Sequence, residues 1–215
     1  MKKPLKCFSI YIALIWNLFA GLIQAKEPDR FILAANQPIS KTSASVFEHV
    51  HALALDAEGH SLFLGAHTGL FRSNDRGRSW KKVPVSSKHA HLDVMDIAPD
   101  AREATTIYIA THEAGVLKST DGGVFWKEIN NGLGGLDVHG LAIDPSLRFK
   151  LHAAVRDKGE GIYRTTDQGA KWIRVDDGPQ GEVKVLRSVN ISTGMGGIFL
   201  YAGTSTGLQR GPDCF

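Results

Sequence analysis

Residues 119–126 read STDGGVFW, and the same pattern occurs as SNDRGRSW at residues 73–80 and as TTDQGAKW at residues 165–172. Each copy begins 46 residues after the one before it. A fourth start, GLQRGPD at residues 207–213, stays in register with GLFRSND, GVLKSTD and GIYRTTD, which begin at residues 69, 115 and 161. The chain is therefore built from repeats of one structural unit.

Each repeat contains four short apolar runs bounded by glycine, proline or charged residues. The first run begins near Val50, Val94, Val138 and Val185, and the second begins at Leu62, Ile107, Leu151 and Leu200. The third is the GLFRS-like run, and the fourth follows the motif tryptophan. Runs this short and closely spaced favour strands over helices. We predict an all-β protein, a β-propeller of about four 46-residue blades, with three complete blades, a fourth incomplete one, and the option of a partial propeller.

The motif Ser/Thr-x-Asp-x-Gly-x-x-Trp resembles the Asp-box, also called the BNR repeat. It is similar to the repeats of sialidases, sortilin-type receptors, xyloglucanases and the photosystem II stability and assembly factor. The resemblance covers residues 49–213. It implies a propeller fold, and it implies either a glycoside hydrolase or a propeller whose face binds a protein or peptide.

The motif residues are best explained as structural. The hydroxyl and carboxylate groups can satisfy backbone N–H groups of a tight turn, the glycine allows a positive φ, and the tryptophan buries apolar area beside the turn. Because the motif recurs in every blade, its aspartates do not converge on one site. The predicted structural set is Ser73, Asp75, Gly77, Trp80, Ser119, Asp121, Gly123, Trp126, Thr165, Asp167, Gly169 and Trp172.

The N-terminus is typical of export. Residues 1–6 are basic and residues 7–22 are largely apolar, so residues 1–25 are predicted to be a signal peptide, with an uncleaved membrane anchor as the alternative. We expect a periplasmic or extracellular protein. Removing the three leader lysines from the net charge of +3 leaves a chain near neutrality, which argues against a nucleic-acid partner.

Seven of the nine histidines fall at the end of the blades opposite the Asp-boxes. His67 and His112 occupy equivalent turns between the second and third strands, where the next repeat has Arg156, and His51 and His139 are equivalent at the start of the inner strands. The candidate ligand-binding face comprises His51, His67, His91, Asp93, His112, His139 and Arg156.

Three interpretations of this face remain open. His51 and His139 could meet near the axis and, with carboxylates such as Asp93, Asp96, Asp137 or Glu113, hold a divalent transition metal, although no cofactor is required. The imidazoles could instead bind an anionic ligand or sense pH. They could also be solvated loop residues without a function.

The enzyme alternative has less support from the sequence. The arginine motif of sialidases is missing, Tyr108, Tyr163 and Tyr201 fall at repeated strand positions, and the mature tryptophans all belong to Asp-boxes. The carboxylates of Asp93 and Asp137 could serve as acid and base if the chain is a glycosidase. We favour a non-catalytic module that binds a protein or peptide or acts in assembly. A sialidase-like glycoside hydrolase, or a fragment of one, is the alternative, and a glycan is the alternative ligand.

The fourth repeat raises the question of closure. It has Asp213 but neither the motif glycine nor the tryptophan. The N-terminal segment, residues 26–48, could donate a closing strand to a four-bladed ring, or the blades could be completed in a homo-oligomer. Cys214, the cysteine left after leader cleavage, could link two chains.

Overall fold

A computed structural model of the protein describes residues 47–85, 92–191 and 197–213. These residues form fifteen strands in four antiparallel sheets and contain no helix. The sheets are β1 (Val50–Leu55), β2 (Leu62–Ala66), β3 (Gly69–Ser73) and β4 (Lys81–Lys82); β5 (Val94–Pro99), β6 (Ile107–Thr111), β7 (Val116–Ser119) and β8 (Lys127–Glu128); β9 (Val138–Ile143), β10 (Leu151–Val155), β11 (Gly161–Thr165) and β12 (Ile173–Asp176); and β13 (Val183–Val189), β14 (Ile198–Thr204) and β15 (Gly207–Asp213). The predicted all-β fold is confirmed.

The four sheets are the blades of a β-propeller. Within each sheet the strands pair in chain order, and the inner strands contact one another in the order β1, β5, β9, β13. The fourth blade has three strands among the described residues, as the sequence predicts. Its first strand begins at Val183 rather than near Val185, because Val183 already pairs with Thr204. Across the described ranges, no helix is long and apolar enough to cross a membrane.

Apolar layers between neighbouring blades form the core. Phe63 and Leu70 of blade 1 pack with Ile107 and Trp126 of blade 2, and a corresponding layer between blades 2 and 3 includes Trp172. Trp126 and Trp172 are 9% and 1% exposed. Each of these two tryptophans therefore joins its blade to the one before it.

Each Asp-box closes its own turn. In blade 2 the hydroxyl of Ser119 donates to Asp121 Oδ1 at 2.8 Å and accepts from the Gly123 N–H at 2.9 Å. Asp121 Oδ1 also accepts from the Phe125 N–H at 2.9 Å. Gly123 has a φ of 94°, which a side chain would strain. The same hydroxyl–carboxylate and hydroxyl–glycine bonds occur in the other two Asp-boxes, at Ser73, Asp75 and Gly77 and at Thr165, Asp167 and Gly169.

The first blade differs from the second and third in the exposure of its inner strand. Leu53 of β1 is 60% exposed, whereas Ile97 and Leu141, its equivalents in β5 and β9, are buried. Trp80 belongs to blade 1, the first of the four described blades. Its ring packs against that of Phe47, with ring centroids 6.1 Å apart. The four described blades therefore form a propeller with an uncovered side at blade 1. The segment proposed to close it, residues 26–48, lies almost wholly outside the described residues.

The aspartate of the incomplete fourth motif bonds to the neighbouring blade. Gly211 stands at the position where the other motifs have a serine or threonine, so Asp213 has no motif hydroxyl to bond with. Its carboxylate lies 2.5 Å from Lys150 Nζ, 2.9 Å from His152 Nε2 and 2.9 Å from Arg164 Nη1. Burial disfavours its ionisation, but the hydrogen bonds from His152 and Lys150 outweigh burial and lower the pKa of Asp213. This cluster ties blade 4 to blade 3.

Candidate functional site at the histidine end of the blades

A β-bulge interrupts every inner strand at the same place. The pairing register shifts between Val50 and Ala52 in β1, and likewise at the second residue of β5, β9 and β13. A bulge leaves one residue outside the ladder and turns its side chain away from the regular alternation. The four residues so placed are His51, Met95, His139 and Lys184.

These bulged residues line one cavity at the end of the inner strands. Its volume is about 320 Å³, and all four blades contribute to its walls. Its lining residues are Val50, His51, His67, Met95, His112, His139, Arg156, Glu182, Val183 and Lys184. Since inner strands of a propeller converge on its axis, this cavity is the mouth of the central funnel.

Acid–base contacts join each blade to the next around this mouth. The residue in the turn between the second and third strands of one blade contacts the acidic residue that precedes the inner strand of the following blade. These contacts are His67 with Asp93, His112 with Asp137 at 3.1 Å, and Arg156 with Glu182 at 2.9 Å. The predicted equivalence of His67, His112 and Arg156 therefore corresponds to a repeated contact across the blade interfaces.

The first histidine cluster lies between blades 1 and 2. His51 Nε2 lies 3.4 Å from His67 Nδ1 and 3.4 Å from Asp93 Oδ1. His67 Nδ1 contacts the other oxygen of Asp93. The ring of His49 lies tilted against that of His67, with centroids 4.8 Å apart. Three imidazoles and one carboxylate therefore meet at this interface.

The second cluster lies between blades 2 and 3. Asp137 Oδ1 is 3.1 Å from His112 Nδ1 and 2.8 Å from His139 Nε2, and its other oxygen is 3.4 Å from Arg156 Nε. Glu182 Oε1, from blade 4, lies 3.9 Å from His139 Nδ1. His139 is only 4% exposed, so this cluster is the more deeply buried of the two.

His51 and His139 do not share a cluster. Each belongs to a different His–Asp–His group, and the two groups line the same cavity. Within each group the ligand atoms lie within 4.8 Å of one another, which is compatible with a metal ion. Of the other proposed carboxylates, Asp96 binds Arg187 at 2.9 Å, and the exposed Glu113 is not a member of either group. His91 lies outside the described residues.

Burial lowers the pKa of His51 and of His139. For His51 burial outweighs the charge of Asp93, and for His139 burial and the nearby Arg156 and His112 outweigh Asp137. Both rings are therefore neutral near pH 7, and each can accept a hydrogen bond or bind a cation through one nitrogen.

Several polar atoms at this mouth are buried without a hydrogen bond of good geometry in the described part of the chain. They are Asp93 Oδ1, both carboxylate oxygens of Asp137, and His139 Nε2. Buried polar atoms left without such bonds are uncommon and often mark functional sites.

The opposite mouth of the inner strands has a different character. It encloses about 330 Å³ and is lined in part by Asp100, Asp144 and Arg187. Asp100 and Asp144 accept backbone hydrogen bonds in their own turns, and Arg187 is paired with Asp96. Since these groups are used in local structure, the histidine end is the better candidate for a ligand.

The fold and the Asp-boxes define the chain as an Asp-box β-propeller, a class that includes both enzymes and binding proteins. Residues 34–201 match the family model described as Photosynthesis system II assembly factor YCF48. The match covers most of the sequence, and the chain belongs to this family. The predicted resemblance to the photosystem II assembly factor is confirmed, and the resemblance to sialidases and sortilin-type receptors stays a prediction. Comparison with curated proteins gives no significant match.

Solved structures with the same fold include both glycoside hydrolases and an assembly factor. An ancestral GH74 enzyme is 15% identical, with a TM-score of 0.58 over 77% of this chain and 23% of that one. The GH74 xyloglucanase of Xanthomonas campestris is 20% identical, with a TM-score of 0.54 over 75% and 28%. YCF48 bound to D1 peptide is 16% identical, with a TM-score of 0.53 over 74% and 50%. The chain thus spans half or less of these proteins, and the likeness shows the fold.

Sequence reasoning missed five residues of the cavity, which are Val50, Met95, Glu182, Val183 and Lys184. Met95 and Lys184 are the bulge equivalents of His51 and His139, and Glu182 is the equivalent of Asp93 and Asp137. The signal that could have found them was the repeat register itself, because equivalent positions of a propeller surround one axis. They were missed because candidate site residues were chosen by residue type rather than by equivalent position in the repeat.

Proposed function

We propose that the protein is a non-catalytic binding module of the assembly-factor type, and that it holds a peptide segment of a partner protein at the histidine end of its funnel. The observation that carries this proposal is the cavity of about 320 Å³ to which all four blades contribute. Repetition of one bulge around the axis brings four different side chains to a single place, as a binding site requires.

The chemistry of the lining suits a peptide. Val50 and Met95 offer apolar contact, and Met adapts to irregular partners. Arg156 and Lys184, both paired with Glu182, offer donors to a carbonyl or carboxylate group. The lining combines both signs of charge with the neutral imidazoles of His51 and His139, so it fits a mixed peptide segment better than a polyanion.

Family membership supports the same function. The family is described as an assembly factor, and one member of the fold is solved with a D1 peptide. For this chain we propose a peptide or protein partner, and the experiment below tests the D1 peptide as that partner.

The test is peptide binding by fluorescence anisotropy, with the labelled D1 peptide and a scrambled version as probes. We expect saturable binding of the first, weakened at least tenfold in Lys184→Ala. The matched control is Arg210→Ala in the same blade, whose guanidinium lies 5.2 Å from the Phe199 ring, away from the cavity. Equal binding of both peptides, or equal affinity in the two variants, would contradict the proposed site.

A glycoside hydrolase is the second candidate function, and the GH74 propellers of the same fold are the reason to test it. Incubation with xyloglucan and with a fluorogenic sialoside distinguishes the two functions. We expect no turnover. Release of sugar, abolished in Asp93→Asn or Asp137→Asn, would replace the binding proposal with the enzymatic one.

We also propose that the protein acts outside the cytoplasm. The support is the basic opening of residues 1–6 followed by the apolar residues 7–22. Fractionation of producing cells, with N-terminal sequencing of the mature protein, should place it in the periplasm or medium with a new N-terminus near residue 26. Recovery of the intact chain from the cytoplasm would contradict export.

A further inference from the structure

We infer that the cluster of His51, His67 and Asp93 is a binding site for a divalent transition-metal ion of the zinc type. This inference does not rest on the peptide proposal, because it is tested with the metal alone, although His51 and His67 also line the proposed peptide cavity. It also separates the two histidines that the sequence suggested as a pair, since His139 belongs to the other cluster.

The two ligand distances measured from His51 fit a tetrahedral ion. Two atoms bound about 2.1 Å from one tetrahedral zinc ion lie about 3.4 Å apart. His51 Nε2 is 3.4 Å from His67 Nδ1 and 3.4 Å from Asp93 Oδ1. Binding would exchange the hydrogen bond between His67 and Asp93 for two metal–ligand bonds. Two imidazoles and a carboxylate are ligands that zinc accepts.

The carboxylate supplies an independent sign of a missing ligand. Asp93 Oδ1 is buried and has no hydrogen bond of good geometry among the described residues, although it lies next to His51. A buried carboxylate oxygen without a donor is costly. A bound cation would satisfy it and the lone pairs of both imidazoles at once.

His49 is placed to supply a fourth ligand. Its backbone has a φ of 50°, a conformation that non-glycine residues adopt rarely. The residues at the equivalent position of the other blades, Asp93, Asp137 and Glu182, do not have a positive φ. This conformation accompanies the placement of the His49 ring 4.8 Å from that of His67. Residues held in such conformations concentrate at functional sites.

The second cluster provides the internal comparison. There His139 Nε2 lies 2.8 Å from one oxygen of Asp137, and Arg156 Nε lies 3.4 Å from the other oxygen. The guanidinium charge already neutralises this carboxylate and repels a second cation. The first cluster has no arginine or lysine contact among the described residues, so the metal is assigned to it.

The experiment uses the full chain, purified without a histidine tag and treated with chelator. Isothermal titration with ZnCl₂ should give one equivalent per chain, and Co²⁺ should give the visible absorption of a four-coordinate ion. We expect His67→Ala and Asp93→Asn each to weaken zinc binding at least tenfold. His112→Ala, the equivalent change in the second cluster, and His60→Ala, at an exposed position paired only with Glu58, are the controls and should retain wild-type affinity.

Melting temperatures without metal check that the variants fold, and His51→Ala replaces any variant that does not. The absence of zinc binding in the wild type would overturn the inference. So would loss of binding in His112→Ala with retention in His67→Ala, because that result would place the ion in the second cluster.

Discussion

The two ends of the blades are built from the same repeats but use them in opposite ways. At the Asp-box end the hydroxyl, carboxylate and glycine of each motif bond within one turn, as Ser119, Asp121 and Gly123 do. At the histidine end the contacts cross from blade to blade, as from His67 to Asp93, and converge on one cavity.

The comparison indicates that the repeated groups at the Asp-box end stabilise the fold, whereas the repeated groups at the histidine end build a binding surface. A group that satisfies its own turn in every blade contributes the same local stabilisation several times. A group that reaches the neighbouring blade near the axis contributes to a shared surface. The Asp-box end should therefore respond to mutation chiefly through stability, and the histidine end chiefly through ligand binding.

The largest expected effect is that of Trp172→Ala. Trp172 is 1% exposed, packs between blades 2 and 3, and donates its indole N–H to the Ile129 carbonyl at 2.6 Å. Truncation of a buried tryptophan costs about 3–5 kcal/mol in the free energy of unfolding. Urea unfolding measures it. Trp80→Ala, at the partly buried equivalent position, is the control and should cost clearly less; equal losses would show that Trp80 is as well covered as Trp172.

A smaller loss is expected for Ser119→Ala. The residue is buried, and its hydroxyl accepts the hydrogen bond of the Gly123 N–H. Leaving a buried N–H without a partner costs about 1–3 kcal/mol. Melting followed by circular dichroism should record the loss, while peptide and zinc affinities stay at wild-type values. The matched control is Ser188→Ala, which removes a partly buried serine hydroxyl outside the motifs. A change of affinity in Ser119→Ala would break the division between the two ends.

The two ends should also titrate in different pH ranges. Hydrogen bonds from Ser79 and Ser73 lower the pKa of Asp75 to about 2, and hydrogen bonds from Phe125 and Ser119 and from Thr165 and Lys171 lower those of Asp121 and Asp167. For a carboxyl group with a lowered folded pKa, the stabilisation is complete above the unfolded value of about 3.9 and is lost as pH falls through the folded value. The Asp-box contribution should therefore disappear between about pH 4 and 2.

The histidine end should lose stability earlier. Burial lowers the pKa of His51 and His139 below the unfolded value of about 6.5, so the unfolded chain takes up protons first as pH falls. Stability should begin to decline below about pH 6.5. Urea melts between pH 2.5 and 8 should show both steps, and a double variant, His51→Gln with His139→Gln, should lack the upper one. A single step below pH 4 in the wild type would contradict this account.

The sequence predicted the parts of the molecule that repeat. The 46-residue period predicted the blades, and the motif predicted turns that satisfy themselves, because both depend on local interactions. The positions of His67, His112 and Arg156 at equivalent turns also followed from the register.

The site itself depended on geometry that residue types do not encode. The bulges that place Met95 and Lys184 in the cavity arise from pairing between strands, and the repeat register, rather than residue type, marks these positions as equivalents of His51 and His139. Similarly, Asp213 pairs with Lys150 and His152 because Gly211 leaves it without a local partner and blade 3 supplies cations. Such contacts appear only when neighbouring blades are assembled.

One strand connects the two ends and allows the most direct measurement. In blade 1, His67 precedes β3 and Ser73 ends it. Melting temperature and D1-peptide affinity should be measured together for His67→Ala and Ser73→Ala. The account predicts that His67→Ala weakens peptide binding with little change in melting temperature, and that Ser73→Ala lowers the melting temperature with unchanged affinity. The reverse pattern, or parallel loss of both quantities in both variants, would contradict the division of the propeller into a structural end and a binding end.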